Sequence, residues 1–240
     1  MKKLLITITL TIAFVINIQA QADKQKSFIL GLSFSPSIDF LTSSSISPNE
    51  YKTDGSIIGY AYGLSIDFGI GNSPNYFLST GLQIKRSGGK LLYNDSLEVS
   101  NGIFKKTDIS RKYKVDYIRI PLALKLKTNQ FGRYTVYGLF GLDNNICINA
   151  KAEDLYKLQG AGGSDLPSDN IEVGDNIAFM RVGLYVGLGA EYTINGSTKA
   201  FAGLHYSNGF TDILTGKNSL TLEKESAKNR YFELTFGVLF

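Results

Sequence analysis

The sequence has few of the residues on which most catalytic sites, metal sites and cross-links depend. Its 240 residues include one Cys, one His, five Pro and no Trp. A single Cys excludes an internal disulfide, and the composition as a whole excludes collagen-like, disulfide-scaffold and disordered chains. Neither sign of charge dominates, with 25 Lys and Arg against 21 Asp and Glu. This balance argues against a nucleic acid as a partner.

Long apolar runs are also missing, apart from Leu4 to Ile16 near the N-terminus. That run is shorter than the roughly 20 residues of a membrane-spanning helix, it follows Lys2 and Lys3, and small residues come after it. Residues 1–22 are therefore predicted to be a secretory signal peptide, cleaved near Ala20 or Ala22, with one domain over 23–240. An uncleaved anchor is the alternative. Without a membrane helix, this chain can enter a membrane only as a closed barrel.

Apolar and small or polar residues alternate through most of the chain. In the first stretch, Phe28, Leu30 and Leu32 alternate with Gly31 and Ser33. About ten alternating residues are enough for one β-strand to cross a bilayer. Eight segments fit this pattern, and they run roughly over the following ranges: 28–40, 59–70, 75–86, 114–127, 133–146, 177–194, 199–210 and 229–240.

The connections between these segments alternate in length. Short turns lie at 71–74, 128–132 and 195–198, and long loops lie at 41–56, 87–113, 147–176 and 211–228. This arrangement predicts an all-β fold, an eight-stranded antiparallel up-and-down transmembrane β-barrel in the outer membrane, with its short turns in the periplasm. The second and third loops have room to continue as hairpins beyond the membrane.

Aromatic residues fall at the predicted strand ends, as in the interfacial belts of membrane proteins. Those at the turn ends are Phe28, Phe68, Tyr76, Tyr134, Tyr192 and Phe240. Those at the opposite ends are Phe40, Tyr60 and Phe232. A soluble lipocalin-type barrel is the alternative, but eight strands enclose too little space for all the bulky apolar side chains to point inward.

The face predicted to line the barrel interior carries five acids and four bases. They are Asp39, Asp67, Lys85, Arg119, Lys125, Asp143, Arg181, Glu191 and Glu233. Buried charges are costly unless they are paired, so this near balance favours an electrostatic plug that fixes strand register. A translocation path or binding site is the other interpretation.

Candidate catalytic residues are confined to His205 and Ser207, which lie on the same side of the seventh segment. Small outer-membrane barrels that modify lipids use His as a base and Ser as a nucleophile. The predicted register turns both residues into the lumen, away from lipid, which favours a structural histidine. The acidic third loop, with Asp165 and Asp169, matches no calcium-loop spacing, so neither a metal nor a cofactor is predicted.

Three stretches resemble the PorT-type outer-membrane β-barrel family of Bacteroidota. They are FILGLSFSPSIDF from Phe28, DYIRIPLALKLK from Asp116 to Lys127, and the closing RYFELTFGVLF. The resemblance implies a barrel without a catalytic motif and a role in protein export by type IX secretion, with secretion-system proteins as partners.

The last segment resembles the signal by which the barrel-assembly machinery recognises its substrates. Its alternating apolar residues are Phe232, Leu234, Phe236, Val238 and Phe240. The expected partners are thus outer-membrane lipid and this machinery. Three functions stay open: a non-enzymatic barrel serving export or envelope integrity, an adhesin or ligand receptor acting through its loops, and a lipid-modifying enzyme.

Overall fold

The structure of the chain is a computed structural model that describes residues 28–43, 52–71, 73–100, 103–157, 166–216 and 226–240. The predicted signal peptide and part of each long loop lie outside these residues. Nine strands are present in the described part: β1 (Phe28–Ser43), β2 (Lys52–Gly69), β3 (Tyr76–Ser100), β4 (Ile103–Lys127), β5 (Tyr134–Lys157), β6 (Leu166–Glu172), β7 (Met180–Asn195), β8 (Thr198–Gly209) and β9 (Ala227–Leu239). The described residues contain no helix that is both long and apolar enough to span a membrane.

Eight of these strands form a closed antiparallel barrel, which confirms the predicted fold. Each barrel strand pairs with the barrel strands before and after it in the chain, so that β5 pairs with β7 and β6 is skipped. The ring is closed by the pairing of β1 with β9. The ninth strand, β6, was not predicted. It lies outside the ring and pairs with residues 151–156 of β5, beyond the part of β5 that pairs with β7.

The outer surface of the barrel carries a broad apolar band, because alternate residues of every barrel strand point outward. Leu32 is 55% exposed, whereas Ser33 beside it is 8% exposed. Aromatic pairs lie at both edges of the band: the rings of Tyr134 and Tyr192 are 5.1 Å apart at the turn end, and those of Tyr206 and Phe232 are 4.8 Å apart towards the loop end.

Three strands continue far beyond the predicted boundaries, so the predicted loops 87–113 and 147–176 are largely strand. β3 and β4 have 25 residues each and β5 has 24. The physical reason is a change of apolar face along each strand. On β4, Ile118 and Ile120 point outward, but Tyr113 and Val115 are buried inside. Beyond the band the outer face meets water, so the alternation continues with its polarity reversed.

The loop end of the barrel is filled by an apolar core. Its members are Leu41, Leu91, Tyr93, Ile109, Tyr113, Val115, Tyr117, Ala150, Ala152, Val173, Ile177, Ile213, Leu214 and Ala227. Residues 210–216 continue from β8 and lie between residues 176–182 and the start of β9. The Ile213 amide donates to Ala227 O (2.8 Å) and the Ala178 amide donates to Ile213 O (2.8 Å). Ile213 and Leu214 of this segment are fully buried in the core, so the interior is capped at this end.

Candidate functional site

The middle of the barrel contains a cluster of six buried charged side chains, three acids and three bases. We name this the central cluster, and it consists of Asp39, Lys85, Arg119, Asp143, Arg181 and Glu233. They come from six different strands, β1, β3, β4, β5, β7 and β9, and each is at most 1% exposed. Inward alternation on each strand therefore brings together residues that are distant in sequence.

Asp143 accepts hydrogen bonds from four neighbours. Arg119 Nε lies 2.7 Å from Oδ1, and Arg181 Nη1 lies 2.6 Å from Oδ2. The hydroxyls of Ser207 (2.9 Å) and Tyr231 also donate to Oδ2. Two guanidinium groups and two hydroxyls thus satisfy one buried carboxylate, which is the condition under which a buried charge is tolerated.

Glu233 and Asp39 neutralise Lys85, the remaining base of the central cluster, and Glu233 also pairs with Arg119. Arg119 Nη1 lies 2.9 Å and Lys85 Nζ 3.3 Å from Glu233 Oε2. Lys85 Nζ is also 3.8 Å from Asp39 Oδ1, to which the Ser87 hydroxyl donates. Every acid in this cluster therefore has a basic partner.

A second cluster fills the turn end of the barrel. In this turn-end cluster Lys125 Nζ lies 2.7 Å from Asp67 Oδ2 and 2.9 Å from Glu191 Oε1. Lys127 Nζ lies 2.7 Å from Glu191 Oε1, and Lys199 Nζ lies 3.3 Å from Oε2. Sequence analysis missed Lys127, although its spacing of two residues from Lys125 marks the same inward face. With it, the two clusters contain five acids and five bases that are each at most 8% exposed, and Lys199 adds a partly exposed sixth base.

Large aromatic rings share the interior with these charges. Lys85 Nζ lies 3.6 Å from the ring centroid of Tyr231, and Lys125 Nζ lies 4.5 Å from that of Tyr137. Gly189 makes room for them, because a Cβ there would overlap the Tyr137 ring. Cation–π contacts and ion pairs together leave the middle of the barrel filled.

The two candidate catalytic residues lie inside the barrel but are not paired with each other. His205 Nδ1 lies 2.9 Å from Thr235 Oγ1. The Ser207 hydroxyl donates to Asp143 and accepts a hydrogen bond from Arg181 Nη2 at 2.8 Å. Among the described contacts, the hydrogen-bond partners of Ser207 are therefore a guanidinium and a carboxylate. A serine nucleophile would instead need a hydrogen bond to the histidine base.

A small cavity of about 50 Å³ separates the two charged clusters. Its lining includes His205, Gln83, Lys125 and Tyr137. His205 Nε2 is buried and has no hydrogen-bond partner in the described part of the chain. A cavity of this size and polarity holds a few water molecules, and no larger ligand.

The five residues of the predicted insertion signal lie on the outer face of the last strand. Phe232, Leu234 and Phe236 are each 43–50% exposed, and Phe240 follows the end of β9 with an exposure of 52%. Val238 pairs with Leu32 on β1 and Ala200 on β8. No group of three or more His, Cys, Asp or Glu side chains in the described residues is placed to hold a metal ion.

A closed eight-stranded ring with an apolar outside and a polar, ion-paired middle is the design of a membrane-spanning β-barrel. The family model for the outer membrane protein beta-barrel domain matches residues 19–159, more than half of the sequence. The chain belongs to this family, and its place is the bacterial outer membrane, with the apolar band in lipid.

Solved structures that resemble the chain are also outer-membrane proteins. Neisserial surface protein A is 16% identical, with 90% of this chain and 98% of that chain covered and a TM-score of 0.42. Outer membrane protein OprG from Pseudomonas aeruginosa is 13% identical, with 89% and 95% covered and a TM-score of 0.43. Ail, the attachment invasion locus protein of Yersinia pestis, is 14% identical, with 89% and 99% covered and a TM-score of 0.37. No curated protein matches the sequence.

Proposed function

We propose that this protein is a non-enzymatic, non-conducting outer-membrane barrel that acts through the surfaces it presents beyond the bilayer. The observation that carries the proposal is the filled interior. The central and turn-end clusters pair five acids with five bases across the lumen, and the apolar core caps the loop end. Eight strands leave only enough room for side chains, so the charges act as an electrostatic plug.

The role that we assign to this closed barrel is that of a PorT-type protein in protein export by type IX secretion, or in envelope integrity. The sequence resemblance from Asp116 to Lys127 supports it, and this part of β4 supplies Arg119 to the central cluster and Lys125 and Lys127 to the turn-end cluster. Secretion-system proteins would then contact its loops or turns. The outward apolar face of β9 suits recognition by the barrel-assembly machinery during insertion, through strand addition at an open edge.

A second candidate, an adhesin or ligand receptor, is supported by the length of β3, β4 and β5. These strands continue well beyond the apolar band and gain β6 as a fourth strand at their edge. They give the loop end a folded surface on which a partner can bind. A lipid-modifying enzyme has less support, because Ser207 is held by Asp143 and Arg181 inside the barrel. An unchanged phenotype of the His205→Ala variant would exclude the lipid-modifying enzyme.

The plug is tested by recording ion currents across planar bilayers that contain the purified protein. We expect no discrete current steps, because paired side chains occupy the lumen. A preparation of a large open porin, reconstituted in the same way, shows that the assay detects a pore. Regular current steps from this protein would refute the plug and revive a translocation path.

The export role is tested by quantitative proteomics of the outer membrane and culture medium from a deletion strain and its parent. Loss of exported cargo, with its accumulation in the periplasm, is the result expected for a component of the secretion route. A complemented strain controls for secondary effects of the deletion. An unchanged secretome would favour the envelope or loop-binding role, with PorT resemblance limited to architecture.

A further inference from the structure

The outer face of the β3–β4–β5 sheet carries four lysines just beyond the apolar band. We name these residues the lysine patch: Lys90 on β3, Lys112 and Lys114 on β4, and Lys151 on β5. Two acids lie among them: Glu153, which lies 3.1 Å from Lys112 Nζ and is also paired with Lys114, and Glu172 on β6, which is directly opposite Lys151. Four positive charges thus face two negative charges.

The strand register places these lysines in like-charge pairs. Lys90 is directly opposite Lys112, and Lys114 is directly opposite Lys151. Like charges in such cross-strand positions destabilise a sheet. Lys90 and Lys151 have no ion pair with any described residue, while the hydrogen bond from Lys114 lowers the pKa of Glu153. The four lysines therefore leave a net positive charge on this face after Glu153 and Glu172 are counted.

The height of the patch above the apolar band matches the position of lipid headgroups. Ile84 and Ile118 are the last lipid-facing residues of β3 and β4 before charged residues begin. Two residues further, Arg86 and Asp116 form a bidentate ion pair, 2.7 and 3.0 Å long. The patch begins at the next outward position. Successive outward positions are about 7 Å apart along a strand, and the strands are tilted to the membrane. It thus starts about 10 Å above the apolar band.

We propose that the lysine patch binds the phosphate groups of anionic glycolipids in the outer leaflet of the outer membrane. Short turns face the periplasm in such barrels, so the loop end and its patch face this leaflet. Lysine binds phosphate as a point charge, and each basic residue near an anionic surface strengthens membrane attachment. Bound phosphates would also offset the repulsion within both lysine pairs.

The test measures the binding of diphosphoryl lipid A to the full chain in neutral detergent micelles. The double variant Lys90→Gln, Lys151→Gln removes one lysine from each like-charge pair. The matched control, Lys52→Gln with Lys228→Gln, removes two lysines from β2 and β9 at the same end of the barrel, neither of which has an ion pair with a described residue. We expect the patch variant to bind about tenfold more weakly than the parent, and the control to bind nearly as well as the parent.

A stability measurement separates lipid binding from a structural role. Without lipid A, the patch variant should be at least as stable as the parent, because repulsion between lysines is relieved. With lipid A, the parent should gain more stability than the variant. Equal losses in both double variants, or equal binding of dephosphorylated lipid A, would refute the proposal. Equal binding of inorganic phosphate or a soluble sulfated polysaccharide would assign the patch to free anions instead.

Discussion

Asp143 joins two of the three bases of the central cluster, Arg119 and Arg181. Its two oxygens accept hydrogen bonds from Arg119, Arg181, Ser207 and Tyr231, all buried. Removing one partner of a buried ion pair leaves the other charge uncompensated, which costs more than the intact pair contributes.

Asp143→Asn is therefore expected to lower the free energy of unfolding by about 3–5 kcal/mol. Urea or guanidinium titration of the barrel in micelles measures the loss. Asp175→Asn is the matched control, since Asp175 is exposed and its side chain has no ion pair with a described residue. Equal stability of the two variants would show that the interior pairing contributes little.

At the surface, Glu153 gives a prediction that depends on pH. Its pKa is lowered from 4.5 by the hydrogen bond from Lys114, so its ionised form is favoured in the folded state. The resulting stabilisation is present above pH 4.5 and is lost as the pH falls through the lowered pKa. Glu153→Gln should cost less than about 1 kcal/mol near neutral pH. Melting curves of parent and variant should converge in acid, and a constant difference would contradict this assignment.

Among the strands, β7 shows how space is made for a filled interior. Gly187 and Gly189 face inward, and a Cβ on Gly189 would overlap the carbonyl oxygen of Ala202 and the Tyr137 ring. Gly189→Ala is expected to destabilise the barrel by about 1–3 kcal/mol through this overlap. Gly174→Ala, where a Cβ would meet nothing within 4 Å, should be nearly neutral. Thermal unfolding of both variants compares them, and equal melting temperatures would rule out tight packing at β7.

Strands were predictable where the same face stayed apolar, and unpredictable where that face changed. Over Ile118 to Leu126 the outward residues of β4 are apolar, and the pattern gave both the strand and its orientation. From Ile109 to Tyr113 the buried apolar residues are the inward ones, so the same period of two was interpreted as part of a loop. β6 was missed because its sequence, LPSDNIE, has no clear alternation, and its pairing with β5 comes from tertiary structure.

In the interior, alternation indicated which charges point inward, but it could not show which charges meet. Arg119 contacts Asp143 on the next strand and also Glu233, 114 residues away. That second contact depends on closure and on the offset between strands around the ring. The loop-end core was missed for a related reason, because Ile213 and Leu214 belong to a segment without strand periodicity.

On the scale of the whole molecule, the plug proposed above consists of two barriers in series. The apolar core caps the loop end, and the two ion-paired clusters lie below it on either side of the small cavity. Opening one barrier should therefore leave the other in place.

Leu214→Ala tests this arrangement. It should lower the free energy of unfolding by about 2–5 kcal/mol, because it leaves a cavity in the core. It should nevertheless produce no ion current in planar bilayers. Leu188→Ala, on the lipid-facing side and 66% exposed, is the control for loss of a leucine outside the core. Current steps in the Leu214 variant alone would show that the charged clusters do not seal the barrel.

The pairing of charges across the barrel also has a consequence for the order of assembly. Glu233 lies on β9, the last strand in the chain, yet it neutralises Lys85, 148 residues earlier. Until β9 docks against β1, this lysine and Arg119 lack that partner in a low-dielectric surrounding. A shift of one residue in β9 would turn Glu233 into the lipid and Phe232 into the lumen. Charge compensation thus stabilises the ring closed in the correct β9 register over the ring shifted by one residue.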